Sequence, residues 1–195
     1  MATTATPMGA EPTDTLSASG SFTGKVRHIK IASAYGTAIF YGDFVKLVAA
    51  GTVEKAAVTT AVVAGTVGIF VGCTYTDPNS SQMTFNQQWP ADTVASDAYA
   101  YVVDDPKLLF RMQGDEAIAQ PGLGNNVSAV STAGSTSIGR SKNALDGGSI
   151  ATTNSLPLRI VDFVDGPTSS VGDTYTDCIV TYLPLSHAYE TKLGV

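Results

Sequence analysis

A mostly β fold is what this sequence predicts: an antiparallel β-sandwich or partly open β-barrel core with an extended N-terminal arm and very little helix. Three observations carry that prediction. From Lys25 onward bulky residues recur with period two, as in Val67, Ile69, Val71 and Cys73 against Gly68, Phe70 and Gly72, and in Tyr99, Tyr101 and Val103 against Ala98 and Ala100. β-Branched and aromatic residues concentrate in these same stretches, where they pack well on a pleated surface. Reversal signals separate them at Tyr41-Gly42-Asp43, Ala50-Gly51, Asp77-Pro78-Asn79, Asp105-Pro106, Gly147-Gly148 and Asp165-Gly166-Pro167.

The elements follow in order. Residues 1–24 hold Ala, Thr, Ser, Pro and Gly with almost no large apolar side chain, so they cannot bury enough surface to offset their ordering entropy. They are expected to form an arm outside the core that lies on a neighbouring subunit or a larger assembly. A β-rich domain then spans 25–195, with a candidate subdomain boundary near residue 90. Strands are expected at 26–32, 37–40, 43–49, 52–57, 66–75, 82–86, 98–103, 107–113, 156–164 and 176–183. Two short helices are expected near Asp115–Gln120 and Ser141–Leu145, each opening on an N-cap residue and closed by Gly122 or Gly147. The polar segment from 124 to 153 reads as a long loop or flap.

Composition narrows the function. The 195 residues suffice for one domain or two small ones, and 44% are hydrophobic, enough for a real core. Only 14% are charged, against about 25% in an ordinary soluble domain. A surface so weakly charged suits contact with other protein. The net charge of −6 argues against nucleic-acid binding, which needs clustered Lys and Arg. The start MATTATPMGAEP has neither a basic nor an apolar region of a secretory signal, so Sec export is not expected. The uncharged stretch from Ala56 to Thr76 is diluted by Thr and Gly and reads as two strands turning at Ala64-Gly65, not as a membrane span.

Little in the chain points to catalysis. His28 and His187 are the sole histidines, neither in a recognisable constellation, and no G-x-S-x-G, H-E-x-x-H or C-x-x-C occurs. Gly122-Leu123-Gly124 lacks the remainder of a nucleotide-binding loop and reads as a turn. No cofactor is implied, and the expectation is a protein that is not an enzyme. Asp92, Asp97, Asp104 and Asp105 read as solvated turn carboxylates or as a cation site. Cys73 and Cys178 read as buried free thiols or as a disulfide.

The candidate partner contacts are Met8 in the arm, the basic cluster Lys25, Arg27, His28 and Lys30, and Trp89. Alternation puts His28 and Lys30 on one strand face and Arg27 with Ile29 and Ile31 on the other; the cluster is either a solvated face or a dock for an acidic surface. Trp89 is either an interface anchor or a core residue. With Gln87 and Gln88 beside it, it also loosely fits a carbohydrate platform.

The series Gly42-Asp43-Phe44-Val45-Lys46-Leu47, Gly51-Thr52-Val53-Glu54-Lys55-Ala56 and Gly68-Ile69-Phe70-Val71-Gly72 resembles the strand pattern of small decoration (cement) proteins of tailed-phage capsids. Gln88-Trp89-Pro90-Ala91, Tyr101-Val102-Val103-Asp104-Asp105-Pro106, Leu156-Pro157-Leu158-Arg159-Ile160 and Gly172-Asp173-Thr174-Tyr175-Thr176-Asp177 are similar to blocks of marine and cyanophage virion proteins. The blocks together cover most of residues 37–195; the arm is outside them. The resemblance implies a protein made in the cytoplasm of a host bacterium that binds the major capsid protein on the outside of the expanded shell. It implies a homotrimer at local threefold positions, with a dimer as the alternative, no nucleic acid, no membrane, and resistance to the pressure of packaged DNA. Other readings are a tail, connector or fibre-type virion component, and a carbohydrate-binding β-sandwich.

Overall fold

The computed structural model describes residues 4–17, 22, 24–59, 65–184, 186–191 and 194. In chain order the strands are β1 (Glu11–Thr15), β2 (Val26–Lys30), β3 (Ile39–Phe40), β4 (Phe44–Leu47), β5 (Val53–Lys55), β6 (Thr66–Thr76), β7 (Met83–Asn86), β8 (Gln88–Trp89), β9 (Tyr99–Val103), β10 (Leu108–Gln113), β11 (Asn126–Val130), β12 (Ala144–Ala151), β13 (Leu158–Phe163) and β14 (Asp177–Tyr182). Every strand predicted from Lys25 onward is present. The described helical structure is one 3-10 turn, Gln120–Gly122.

Two antiparallel sheets form the body. The first runs β1-β10-β14-β13-β11-β12, the second β2-β9-β6-β4-β5 with β7 added beside the far half of β6; β3 and β8 make a separate ribbon. Neither sheet closes into a barrel, although an isolated bridge from Ile31 to Val53 ties the two ends of the second sheet at one point. One core lies between the sheets, where Phe44, Phe110 and Tyr182 meet edge-on or tilted at centroid distances of 5.2 to 6.1 Å. The other lies on the opposite side of the second sheet, around Ile31, Phe70, Cys73 and Trp89.

The two cysteines answer their question by location. Cys73 belongs to one core and Cys178 to the other, both are free, and burial pushes each thiol up to about 12. They are small hydrophobes in separate interiors.

Four expectations need correction. The first concerns the arm: its described part, instead of lying outside the core, supplies β1, an edge strand pairing Glu11 with Arg111 and Thr15 with Leu108. Ala10 is fully buried in the inter-sheet core, and its N–H donates to Gly42 O at 2.9 Å. Gly9 makes this approach possible, because its φ is 75° and a Cβ there would stand 2.6 Å from Gly42 O and from Ser141 Cβ. The arm is short of apolar side chains but not of backbone donors and acceptors, and the open edge of β10 satisfies them. Residues 1–3, 18–21 and 23 of the expected arm lie outside the described residues, as do 60–64 before the turn at Gly65.

The segment 124–153 is not a loop: β11 and β12 pair within it. Its polar side chains serve the sheet. Asn126 Nδ2 donates to Thr153 O at 2.7 Å while its Oδ1 accepts from Arg159 Nε at 3.0 Å, and Ser149 Oγ accepts from Ser128 N at 2.9 Å. Neither expected helix forms. Asp115 N donates to Leu145 O at 2.9 Å and its carboxylate accepts from Gly147 N at 3.0 Å, binding the first segment to β12. Ser141 Oγ donates to Asp43 Oδ1 at 2.7 Å, which holds the second segment extended into β12 instead of capping a helix.

Candidate functional site

The second sheet carries one face that is half covered. At one end of it Phe44, Ile69 and Val103, paired through β4, β6 and β9, pack into the inter-sheet core. A bulge at Val71, between Phe70 and Gly72, then kinks β6. Beyond it the same face continues past the first sheet into solvent.

Registration sets what that open end presents, since cross-strand partners in an antiparallel sheet share a face. One row runs Phe85, Thr74, Tyr99, Lys30 across β7, β6, β9 and β2. The next runs Gly72, Tyr101, His28, and Met83 stands opposite Thr76 on the other flank. Central β6 thus contributes only Gly72, Thr74 and Thr76, while its neighbours contribute Met83 and Phe85 on one side and Tyr99 and Tyr101 on the other. With strands about 4.8 Å apart, the result is a shallow trough about 10 Å wide between aromatic walls. Phe85 is 70% exposed, Met83 68% and Tyr99 41%. Phe85 also borders a groove shared with Gln87, Gln88 and exposed Ile138.

The basic cluster lies along the edge of this face. His28 stacks edge-on against Tyr101 with centroids 4.5 Å apart. Lys25 and Lys30 are exposed, and neither forms an ion pair with a described residue. Arg27 departs from the group: it points to the opposite side, pairs with the buried carboxylate of Asp104 and lies 5.5 Å from the Tyr189 ring centroid. The Asp104 contact holds its guanidinium further toward the charged form. Arg27 therefore fastens the C-terminal segment, and the cations of the cluster without an ion pair to a described residue are Lys25 and Lys30.

Met8 is 44% exposed, well away from this face, with its sulfur 3.5 Å from Arg140 Nη1 in a groove along β1 and β10. Trp89 is corrected from contact residue to core residue. It is fully buried, meets Tyr75 edge-on at 5.5 Å and donates Nε1–H to Tyr35 O at 3.2 Å, so neither partner nor sugar reaches it. Pairing of Trp89 with Ile39 in the β3–β8 ribbon turns the ring inward.

Sequence reasoning missed Met83, Phe85 and Tyr99 as surface residues and Tyr101 as half-buried beside them. The signal was the light-and-heavy alternation of Ala98-Tyr99-Ala100-Tyr101, but the light side is the buried one: Ala98 and Ala100 are fully buried against the core that holds Phe70 and Trp89.

Three of the four aspartates are engaged by protein groups. Asp105 accepts from Lys107 N at 2.9 Å and Thr15 Oγ1 at 2.9 Å; Tyr189 OH donates to Asp104 at 3.1 Å. Thr76 donates to Asp97 through its hydroxyl at 2.6 Å and its N–H at 3.2 Å, which lowers that carboxyl below its ordinary range. Asp92 sits in a tight turn with φ 61°. Among the described residues no group of three or more His, Cys, Asp and Glu is placed to hold a metal ion, and no helix is long and apolar enough to cross a membrane. No family model, curated protein or solved structure matches the chain.

Proposed function

We propose that this chain is a non-enzymatic virion protein that binds the outer surface of a phage capsid shell and stabilises it as a decoration protein, acting as a small homo-oligomer, in first place a trimer. The observation that supports this reading best is the open end of the second sheet, where Met83, Phe85 and Tyr99 stand exposed beside Lys30 and the half-buried Tyr101. Burying one such side chain contributes about 1.5–3 kcal/mol, and aromatic residues recur as interface anchors. Exposed Lys30 at the rim, without an ion pair to a described residue, favours an acidic patch on the major capsid protein. The low charge of the chain and the order of its sequence blocks support the same reading.

The purified chain mixed with expanded heads that lack it should bind at stoichiometric occupancy and raise their heat resistance. No binding defeats the proposal. A second reading, a carbohydrate-binding module, is favoured by one observation: exposed Phe85 shares a groove with the amide residues Asn86, Gln87 and Gln88, a better sugar platform than Trp89. Glycan-array binding abolished by Phe85→Ser, with no binding to heads, would select it.

A further inference from the structure

Asp43 is a fully buried carboxylate with two different nitrogen groups on its two oxygens. Oδ2 lies 2.8 Å from Lys55 Nζ and accepts from Phe40 N at 2.9 Å. Oδ1 accepts from Asn143 Nδ2 at 3.2 Å and from Ser141 Oγ at 2.7 Å. Asn143 is buried as well, and its side-chain carbonyl accepts from Thr132 N at 3.0 Å. Lys55 keeps 15% exposure of its side chain, with Nζ 5.8 Å from the Phe40 ring centroid. The lysine stands on β5 of the second sheet and the asparagine immediately before β12 of the first.

An ion pair alone would need only Lys55 and Asp43. Here the same carboxylate also grips a primary amide whose carbonyl is polarised by a backbone N–H. A nucleophile, a proton carrier, a leaving group and an oxyanion donor thus share one water-poor site. We propose that Lys55 and Asn143 form an isopeptide bond within the folded chain, with Asp43 as the catalytic residue. Lys55 gives a proton to Asp43, and the resulting amine attacks Asn143 Cγ. The oxygen turns toward negative in the tetrahedral intermediate and is held by Thr132 N–H. The C–Nδ2 bond then breaks as Asp43 returns protons to Nδ2. Of the three ammonium protons, one stays on the new amide nitrogen and two leave on the departing nitrogen as ammonium, so charge and atoms balance without oxidant or cofactor. Proximity in the folded state supplies the rate that free amines and amides lack in water. The bond joins the two sheets covalently, and this inference is independent of what the open face binds.

Intact-mass and peptide mass spectrometry test it on the full chain. Lys55→Arg retains the cation beside Asp43 but not the amine nucleophile, and serves as the reference purified in the same way, so any N-terminal processing cancels. After allowing for the substitution itself, the natural chain should be lighter than the Lys55→Arg chain by one ammonia. It should also yield a branched peptide joining Lys55 to Asn143, uncut after Lys55 by trypsin. Asn143→Ala should lose both signatures while remaining folded by circular dichroism, and Asp43→Asn should lose or greatly slow them. A natural chain of full sequence mass with separate Lys55 and Asn143 peptides overturns the proposal. So does a mass deficit of one water, which would put the bond on Asp43, and a bond that forms unimpeded in Asp43→Asn removes the catalytic role.

Discussion

The two ends of one face of the second sheet make the most informative comparison in this molecule. Both consist of β6 paired with β9, on either side of the bulge at Val71, and both carry large side chains on the same side. At one end Ile69 and Val103 meet Phe44, Phe110 and Val180, and water is gone. At the other, Tyr99, Phe85 and Met83 meet solvent. The difference lies in cover, not in strand chemistry: the first sheet stops short, and the bulge at Val71 turns the remainder of the face away from it. Large apolar side chains held by a rigid sheet without intramolecular cover are what a partner surface requires.

The comparison predicts an asymmetry in what substitution costs. Phe110→Ala, at the covered end, removes the ring that contacts both Phe44 and Tyr182 and should cost about 3–5 kcal/mol in urea unfolding. A loss below about 1 kcal/mol would mean that the two sheets do not depend on this core. Next in size is the arm. Deleting residues 1–16 removes β1, the Arg140–Glu11 ion pair and buried Ala10, and should cost about 2 kcal/mol or more in the isolated protein. An unchanged melting temperature would return the arm to the role expected from its composition.

A smaller effect belongs to His187. Its imidazole is fully buried between Tyr182 and Tyr189, and desolvation lowers its pKa below the ordinary 6.5, opposed by the backbone of Val67 and by Asp104 and Asp105. The unfolded chain therefore takes up a proton that the folded one resists. The stability due to neutral His187 is present above the ordinary imidazole value and is lost as pH falls below it. Urea midpoints measured down a pH series should decline in that window for the natural chain, and the decline should be shallower in His187→Gln. Equal slopes would place the acid sensitivity elsewhere. Smallest of all is the open end: Phe85→Ser or Tyr99→Ser should change unfolding free energy by no more than about 0.5 kcal/mol.

The same contrast explains what the sequence made legible. Strands β2 to β7, β9, β10, β13 and β14 announce themselves by runs of β-branched and aromatic residues, alternating most clearly in β6 and β9, between turns that carry Gly, Pro or Asp. β1, β8, β11 and β12 do not, since they are short or rich in small and polar residues and become strands by docking on an existing edge or by bonding side chain to backbone, as Asn126 and Ser149 do. Lys25, His28 and Lys30 were legible as a basic edge. The aromatic trough was not, because alternation at Tyr99 and Tyr101 shows that two faces differ but not which is inside. That choice was made by Phe70 and Trp89, which leave room only for Ala98 and Ala100.

The central claim, that the uncovered end of this face is where the protein attaches to its shell, is tested by the double variant Phe85→Ser with Tyr99→Ser. Its occupancy on expanded heads should be measured beside the natural chain at matched concentration, with melting curves of both. The account predicts an unchanged melting temperature and a loss of occupancy of tenfold or more, roughly what removing two interface anchors costs. Full occupancy by a variant that is folded and lacks both aromatic walls would contradict it.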